Sequence, residues 1–114
     1  LWLSFFIIGY AIDFERLQAA HVVVKQARAA LEAIFKQVDV LLALAAKGQA
    51  PKGLDATGDP LFGRIWSALG NPGLTLPQGS GNQGLSLGVL LCGPYGQDRA
   101  FLQAAQHLES LLAE

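Results

Sequence analysis

The sequence predicts an α/β fold of about three strands with packing helices, in the order helix, strand, helix, strand, strand, helix. Three observations predict it. A long stretch without glycine or proline carries apolar residues at helical spacing, two short runs are apolar without interruption, and glycine, proline and asparagine punctuate the segments between. Buried strands separated by helices imply a layered α/β structure.

The first segment, Leu1 to Ile12, is nearly all apolar and stops at Asp13. A bilayer-crossing helix needs about 20 such residues, so this run is too short to span. A secretory signal places basic residues ahead of its apolar run, and here the first positive charge is Arg16. Segment 1–12 is therefore expected to be buried, or to continue a missing upstream part. The absence of any methionine favours a piece of something longer.

From Phe14 to about Gln37, the residues Phe14, Leu17, His21, Val24, Leu31, Phe35 and Val38 share one face of a helix that Asp13 can cap. Val38 to Ala46 is apolar without periodicity, which fits a continued helix or a fully buried strand. Lys47 to Asp59 is a loop broken by Gly48, Pro51, Gly53 and Gly58. A short helix follows, with Asp59 as N-cap, Pro60 as first helical residue and Gly70 as left-handed stop. Leu61, Phe62, Ile65, Trp66 and Leu69 line one of its faces. After the turn Asn71-Pro72-Gly73 come a short strand Leu74 to Leu76, a flexible connection Pro77 to Gln83 and a second buried strand Leu85 to Cys92. Gly93-Pro94-Tyr95-Gly96 turns the chain. Asp98 then caps a last helix with the apolar stripe Phe101, Ala104, Ala105, Leu108, Leu111 and Leu112.

Composition bounds the function. The 114 residues suit one domain. With 52% hydrophobic and 15% charged residues, the chain is too apolar to stay disordered. A net charge of −1 supplies no electrostatic reason to expect nucleic acid or an acidic membrane as partner. A single cysteine excludes an internal disulfide and a cysteine-built zinc site. No targeting signal is visible, and a cytoplasmic location is the expectation.

Residue by residue, no catalytic set emerges. Gly79, Gly81 and Gly84 spell the G-x-G-x-x-G fingerprint, but that motif holds a dinucleotide only where a strand passes into a helix. Leu85 to Leu90 reads as strand, so the glycines are an inter-strand loop. His21 and His107 lie on separate helices without the ligand spacing that a metal demands. Cys92 ends a buried strand with no cation nearby and reads as an inert core thiol. The serines stand singly, none in a nucleophile elbow. Asp55, Thr57 and Asp59 cluster in the 47–59 loop, where turn and cap chemistry explains them as well as ligand binding does. No cofactor and no metal is expected. The loop is the candidate pocket rim because it follows a buried strand.

Four blocks then carry a likeness. Asp39-Val40-Leu41-Leu42, the loop ending Thr57-Gly58-Asp59-Pro60, Leu69 to Pro77 and Gly84 to Gly93 resemble, in order and spacing, the carboxy-terminal part of amidase signature enzymes. The resemblance covers roughly residues 11 to 113. It favours a strand at Val38 to Leu44, and it implies that 13–114 is the C-terminal portion of an amidase domain, a fragment of a large α/β/α sandwich with a mixed central sheet.

Enzymes of that family hydrolyse amide C–N bonds, or transfer ammonia from them. They use a serine activated by a second serine and by a lysine further upstream. Here no two serines are adjacent, and Lys25, Lys36, Lys47 and Lys52 fall in the wrong region. The resemblance therefore implies a segment inactive alone, with a small-molecule amide as substrate of the complete parent only. It makes Thr57, Asp59, Phe62 and Trp66 the substrate-pocket candidates. Where the family has Thr-Pro, Pro and Gln, this chain has Ala43-Leu44, Ser86 and Leu90, which implies a more apolar pocket. The alternative is a non-catalytic binding or assembly module that self-associates through exposed apolar surface.

Overall fold

The computed structural model describes residues 9–112. It contains α1 (Phe14–Phe35), β1 (Leu41–Leu44), α2 (Leu61–Leu69), β2 (Gly73–Ser80), β3 (Ser86–Cys92) and α3 (Asp98–Leu112), a mixed α/β chain in the order the sequence implies. Of the apolar segment 1–12, positions 1–8 lie outside the described residues.

The three strands form one antiparallel sheet in the order β1-β3-β2. The chain passes from β1 through α2 to the far edge, and the β2–β3 hairpin returns it to the centre. Register fixes what each face carries. Leu42, Leu74 and Leu91 stand in one row, and Leu44, Leu76 and Val89 in the next. On this face Leu76 and Leu91 pack with Phe101 and Ala105 of α3, joined by Val40, Leu74, Val89 and Leu108. The opposite face carries Leu41, Ala43, Thr75, Leu90 and Cys92.

Strand boundaries differ from the sequence reading. β1 begins at Leu41 rather than Val38 and is not fully buried: Leu42 is 64% and Leu44 58% exposed. Among the described residues it pairs with β3 alone, and Val40, just ahead of it, packs against the core. β2 runs on to Ser80, so Pro77 to Gln83 is mostly strand and not a flexible connection. Proline is accommodated because Gly93 N donates to Pro72 O at 2.9 Å, which sets the ladder's alternation. Pro77, opposite Gly88, then falls at a non-hydrogen-bonded pair, and its missing N–H faces the open edge. An irregularity between Pro77 and Ser80 follows.

The helix ends follow local chemistry. Asp13 Oδ1 accepts from Arg16 N at 2.8 Å and caps α1. α2 starts at Leu61, one residue later than expected, with Pro60 in the cap position. Asp59 still supplies the acceptor, since its Oδ1 takes the Leu61 N–H at 3.0 Å. Gly70 ends α2 at φ 68°, in the left-handed region that glycine enters without steric cost. Asp98 sits in the first turn of α3 rather than capping it, and Phe101 N donates to Gln97 O.

Helix faces are less covered than periodicity implies. No residue of α1 is buried; Val24, Leu31 and Phe35 are half-covered, while Phe14, Leu17 and Val38 are exposed. α1 instead meets the body through Arg28, whose Nε donates to Leu69 O at 2.6 Å while its guanidinium lies 4.3 Å from the Tyr95 ring centre. In α2 only Leu69 is buried, and in α3 the stripe is covered at Phe101 and Ala105 but open at Leu111 and Leu112. The chain exposes 9081 Å². A compact monomer of 12.1 kDa exposes about 6,000 Å².

Candidate functional site

A hollow of about 660 Å³ lies between the 45–51 and 57–59 segments and the β2–β3 hairpin. Thr75 and Pro77 of β2 and Ser86, Leu87 and Gly88 of β3 form its floor. The volume is of the size that takes a small molecule. A neighbouring hollow of about 520 Å³ shares Ala46, Lys47, Gly48, Leu87 and Gly88, and adds Leu44 and Phe62.

Two contacts hold the loop over the sheet. Lys47 Nζ meets Asp59 Oδ2 at 2.6 Å and closes the 47–59 excursion into a ring. Gln49 reaches across to the hairpin, where its Oε1 accepts from Gln83 N at 3.0 Å. Within the floor, Gly88 lies against Thr75: a Cβ on Gly88 would stand 2.6 Å from Thr75 Cγ2, so a larger residue here would displace that methyl.

The polar lining consists of the Thr57, Thr75 and Ser86 hydroxyls, the Gln49 carboxamide and the Lys47–Asp59 pair. Asp59 is held below its ordinary pKa of 3.8, chiefly by its hydrogen bond to Lys47 and further by the Leu61 N–H. At neutral pH it is an ionised carboxylate already engaged by two donors, suited to fixing the loop and not to accepting a substrate proton. Each hydroxyl both donates and accepts. The set suits a neutral ligand with hydrogen-bonding groups, and among the described residues no nucleophile stands beside a base in it.

The sequence candidates divide. Thr57 and Asp59 line the first hollow and Phe62 the second, whereas Trp66 lines neither and Asp55 stands apart. Lys47, Gln49 and Thr75 escaped sequence reasoning as site residues, whereas Ser86, one of the positions expected to make the pocket apolar, lines the first hollow with a hydroxyl. Lys47 alone carried a signal, an opposite charge at the other end of a glycine-rich loop. Of the positions expected to make the pocket apolar, Leu44 does line a hollow, but Ala43 does not, and Leu90 is buried in the sheet.

Gly79, Gly81 and Gly84 belong to the β2–β3 hairpin, closed by Gly81 N donating to Leu85 O at 2.9 Å, and a strand follows them. Cys92 is fully buried, and burial pushes its thiol up from 9.0 to about 11. His21 and His107 are exposed on α1 and α3. Among the described residues no cluster of metal-ligating side chains forms, and no helix is long and apolar enough to cross a membrane. No family model matches the chain, and no curated protein does.

Proposed function

We propose that this chain is the carboxy-terminal segment of an amidase-type hydrolase, furnishing scaffold and one wall of the substrate cleft. The serine-serine-lysine chemistry comes from outside these residues, and the segment is inert alone. One observation carries the reading. The four blocks that resemble the amidase signature family fall on each of the three strands, covering part of β1 and β2 and all of β3, and contain Thr57, Asp59, Thr75, Pro77, Ser86 and Gly88 of one hollow. An amide presents one carbonyl acceptor and one N–H donor group, which the neutral hydroxyls and carboxamide of this wall match. Asp59, clamped by Lys47, keeps the rim in place.

The test has two arms. In the coding DNA ahead of Leu1, a Gly-Ser-Ser-Gly-type stretch preceded by a lysine is expected; an open frame lacking both would falsify the proposal. The purified 114-residue chain is expected not to hydrolyse acetamide or benzamide. Turnover that disappears on mutating Thr57, Ser86 or any other residue of the chain overturns it equally.

A second reading, a non-catalytic assembly module, is favoured by the uncovered leucines of β1. Retention of the fold with no recoverable upstream machinery separates it from the first.

A further inference from the structure

The two hollows adjoin, and their far ends differ in chemistry. They share Ala46, Lys47, Gly48, Leu87 and Gly88. Beyond that waist the first hollow carries the Thr57, Thr75 and Ser86 hydroxyls and the Gln49 carboxamide. The second adds only Leu44 and Phe62, so among the described residues that line it Lys47 alone has a polar side chain. Three elements build this apolar end. Leu44 closes β1, Leu87 lies near the start of β3, and Phe62 comes from the first turn of α2. Leu44 is paired with Val89, so the same register carried two residues on sets Ala46 opposite Leu87. Phe62 and Leu87 are half-buried, and Leu44 leaves 58% of its surface open.

Charge at the waist is already matched. Lys47 Nζ is engaged by Asp59 Oδ2 at 2.6 Å, and these two are the only charged residues among the described linings of either hollow. Two of the five waist residues are glycines, which put no side chain between the ends. Both hollows, about 660 and 520 Å³, fall in the size range of small-molecule sites, so a ligand with two unlike parts has room for each.

We infer that the ligand of this wall is a neutral carboxamide bearing a phenyl-sized apolar group. Its amide lies among the hydroxyls and the Gln49 carboxamide, and its apolar group passes the waist to meet Leu44, Phe62 and Leu87. The amide head rests on the amidase reading. The apolar half and the preference for a neutral ligand rest on the second hollow and the Lys47–Asp59 pair. A carboxylate or an ammonium placed at the waist finds its counter-charge already taken, and it gives up hydration without return.

A titration of the full 114-residue chain followed by NMR tests this, with acetamide, hydrocinnamamide and hydrocinnamate as probes. Hydrocinnamamide is expected to bind about tenfold more tightly than acetamide and to shift the methyl signals of Leu44 and Leu87, which acetamide leaves in place. Tenfold is about 1.4 kcal/mol, which removing about 60 Å² of apolar surface from water supplies, less than a phenyl group offers. Hydrocinnamate, of the same length but charged, is expected to bind about fivefold less tightly than its amide. Phe62→Ala is expected to bring the ratio between the two amides down to about threefold. Leu44→Asn, a change at an exposed position, is expected to do the same and covers the case that the first variant does not fold. Equal affinity of the two amides, an acid bound as tightly as its amide, or a ratio unmoved by both substitutions overturns the inference. Failure of the amidase reading looks different. A coding sequence without the upstream serine pair and lysine removes the hydrolytic role and leaves these ratios standing, whereas equal affinities beside an intact upstream stretch overturn the two-part ligand alone.

Discussion

Arg28 Nε donates to Leu69 O at 2.6 Å across 41 residues of sequence, joining the middle of α1 to the last turn of α2. The carbonyl belongs to the turn that Gly70 closes, and the same guanidinium lies on the Tyr95 ring at 4.3 Å. One side chain thus ties α1, the end of α2 and the turn before α3. Since no residue of α1 is buried, this contact carries much of what holds the helix to the body.

Arg28→Ala is expected to cost about 2 kcal/mol, the sum expected for a charge-assisted hydrogen bond and a partly exposed cation–π contact. For a chain of this size the thermal midpoint then falls by roughly 8 °C. Arg28→Lys keeps the charge but loses the flat, directional donor, and falls most of the way with it. Calorimetry of the two variants checks this; a midpoint within 1–2 °C of wild type for Arg28→Ala contradicts it.

Gly93, just past β3, lies against Phe101 of α3. A Cβ there would stand 2.5 Å from Phe101 Cδ2 and 2.6 Å from Cγ, inside a core residue that is 3% exposed. Gly93→Ala is expected to destabilise by about 1–3 kcal/mol through overpacking. The collision is with one ring, so Gly93→Ala combined with Phe101→Leu loses less than the two changes added separately. Urea titration of the four members of the cycle gives the coupling, and strict additivity defeats the explanation.

These contacts show what the sequence makes legible. Element order and helix ends were readable at Asp13, Asp59 and Gly70 because their chemistry is local, a carboxylate accepting nearby N–H groups or a glycine at positive φ. β1 and β2 were misjudged because strand limits depend on the partner: β2 continues past Pro77 only because its missing N–H falls on the open side of the ladder with β3. Thr57 and Asp59 are legible in the 47–59 loop, and Phe62 follows from the resemblance. Gln49 is not legible, since its bond to Gln83 spans 34 residues that only the folded hairpin brings together. Trp66 shares a face of α2 with Phe62 but lies one turn further along, and it lines neither hollow.

The Lys47–Asp59 pair gives the chain an acid dependence of known sign. Asp59 is held below 3.8 by Lys47, so the folded state binds its proton less readily than the unfolded state does. The contribution to stability is present above pH 3.8 and disappears as the pH falls through the lower folded value. Carboxyl chemical shifts of Asp59 are expected to titrate below 3.8 in the wild type and to move upward in Lys47→Met. An Asp59 midpoint unchanged by that substitution leaves the pair without energetic coupling. Asp59→Asn is expected to loosen the 47–59 loop, read as faster amide exchange at Leu61 and Lys47.

Cys92 sets the alkaline limit in the opposite sense. Burial in the sheet raises its thiol from 9.0 to about 11, and no charged neighbour opposes the shift. The native thiol stays neutral at pH 8 and shielded, so it is expected to react with an aromatic disulfide reagent only as fast as the protein opens. Its linkage follows directly. The unfolded chain releases the proton from about pH 9 and the folded chain only near 11, so stability contributed by the neutral thiol is complete below 9 and is lost as the pH climbs between the two. Urea midpoints at pH 8, 9.5 and 11 are expected to fall in that order in the wild type and to flatten over the same interval in Cys92→Ala, after allowing for the cavity the substitution leaves. Rapid labelling of Cys92 in the folded chain at pH 8 contradicts the burial on which both expectations stand.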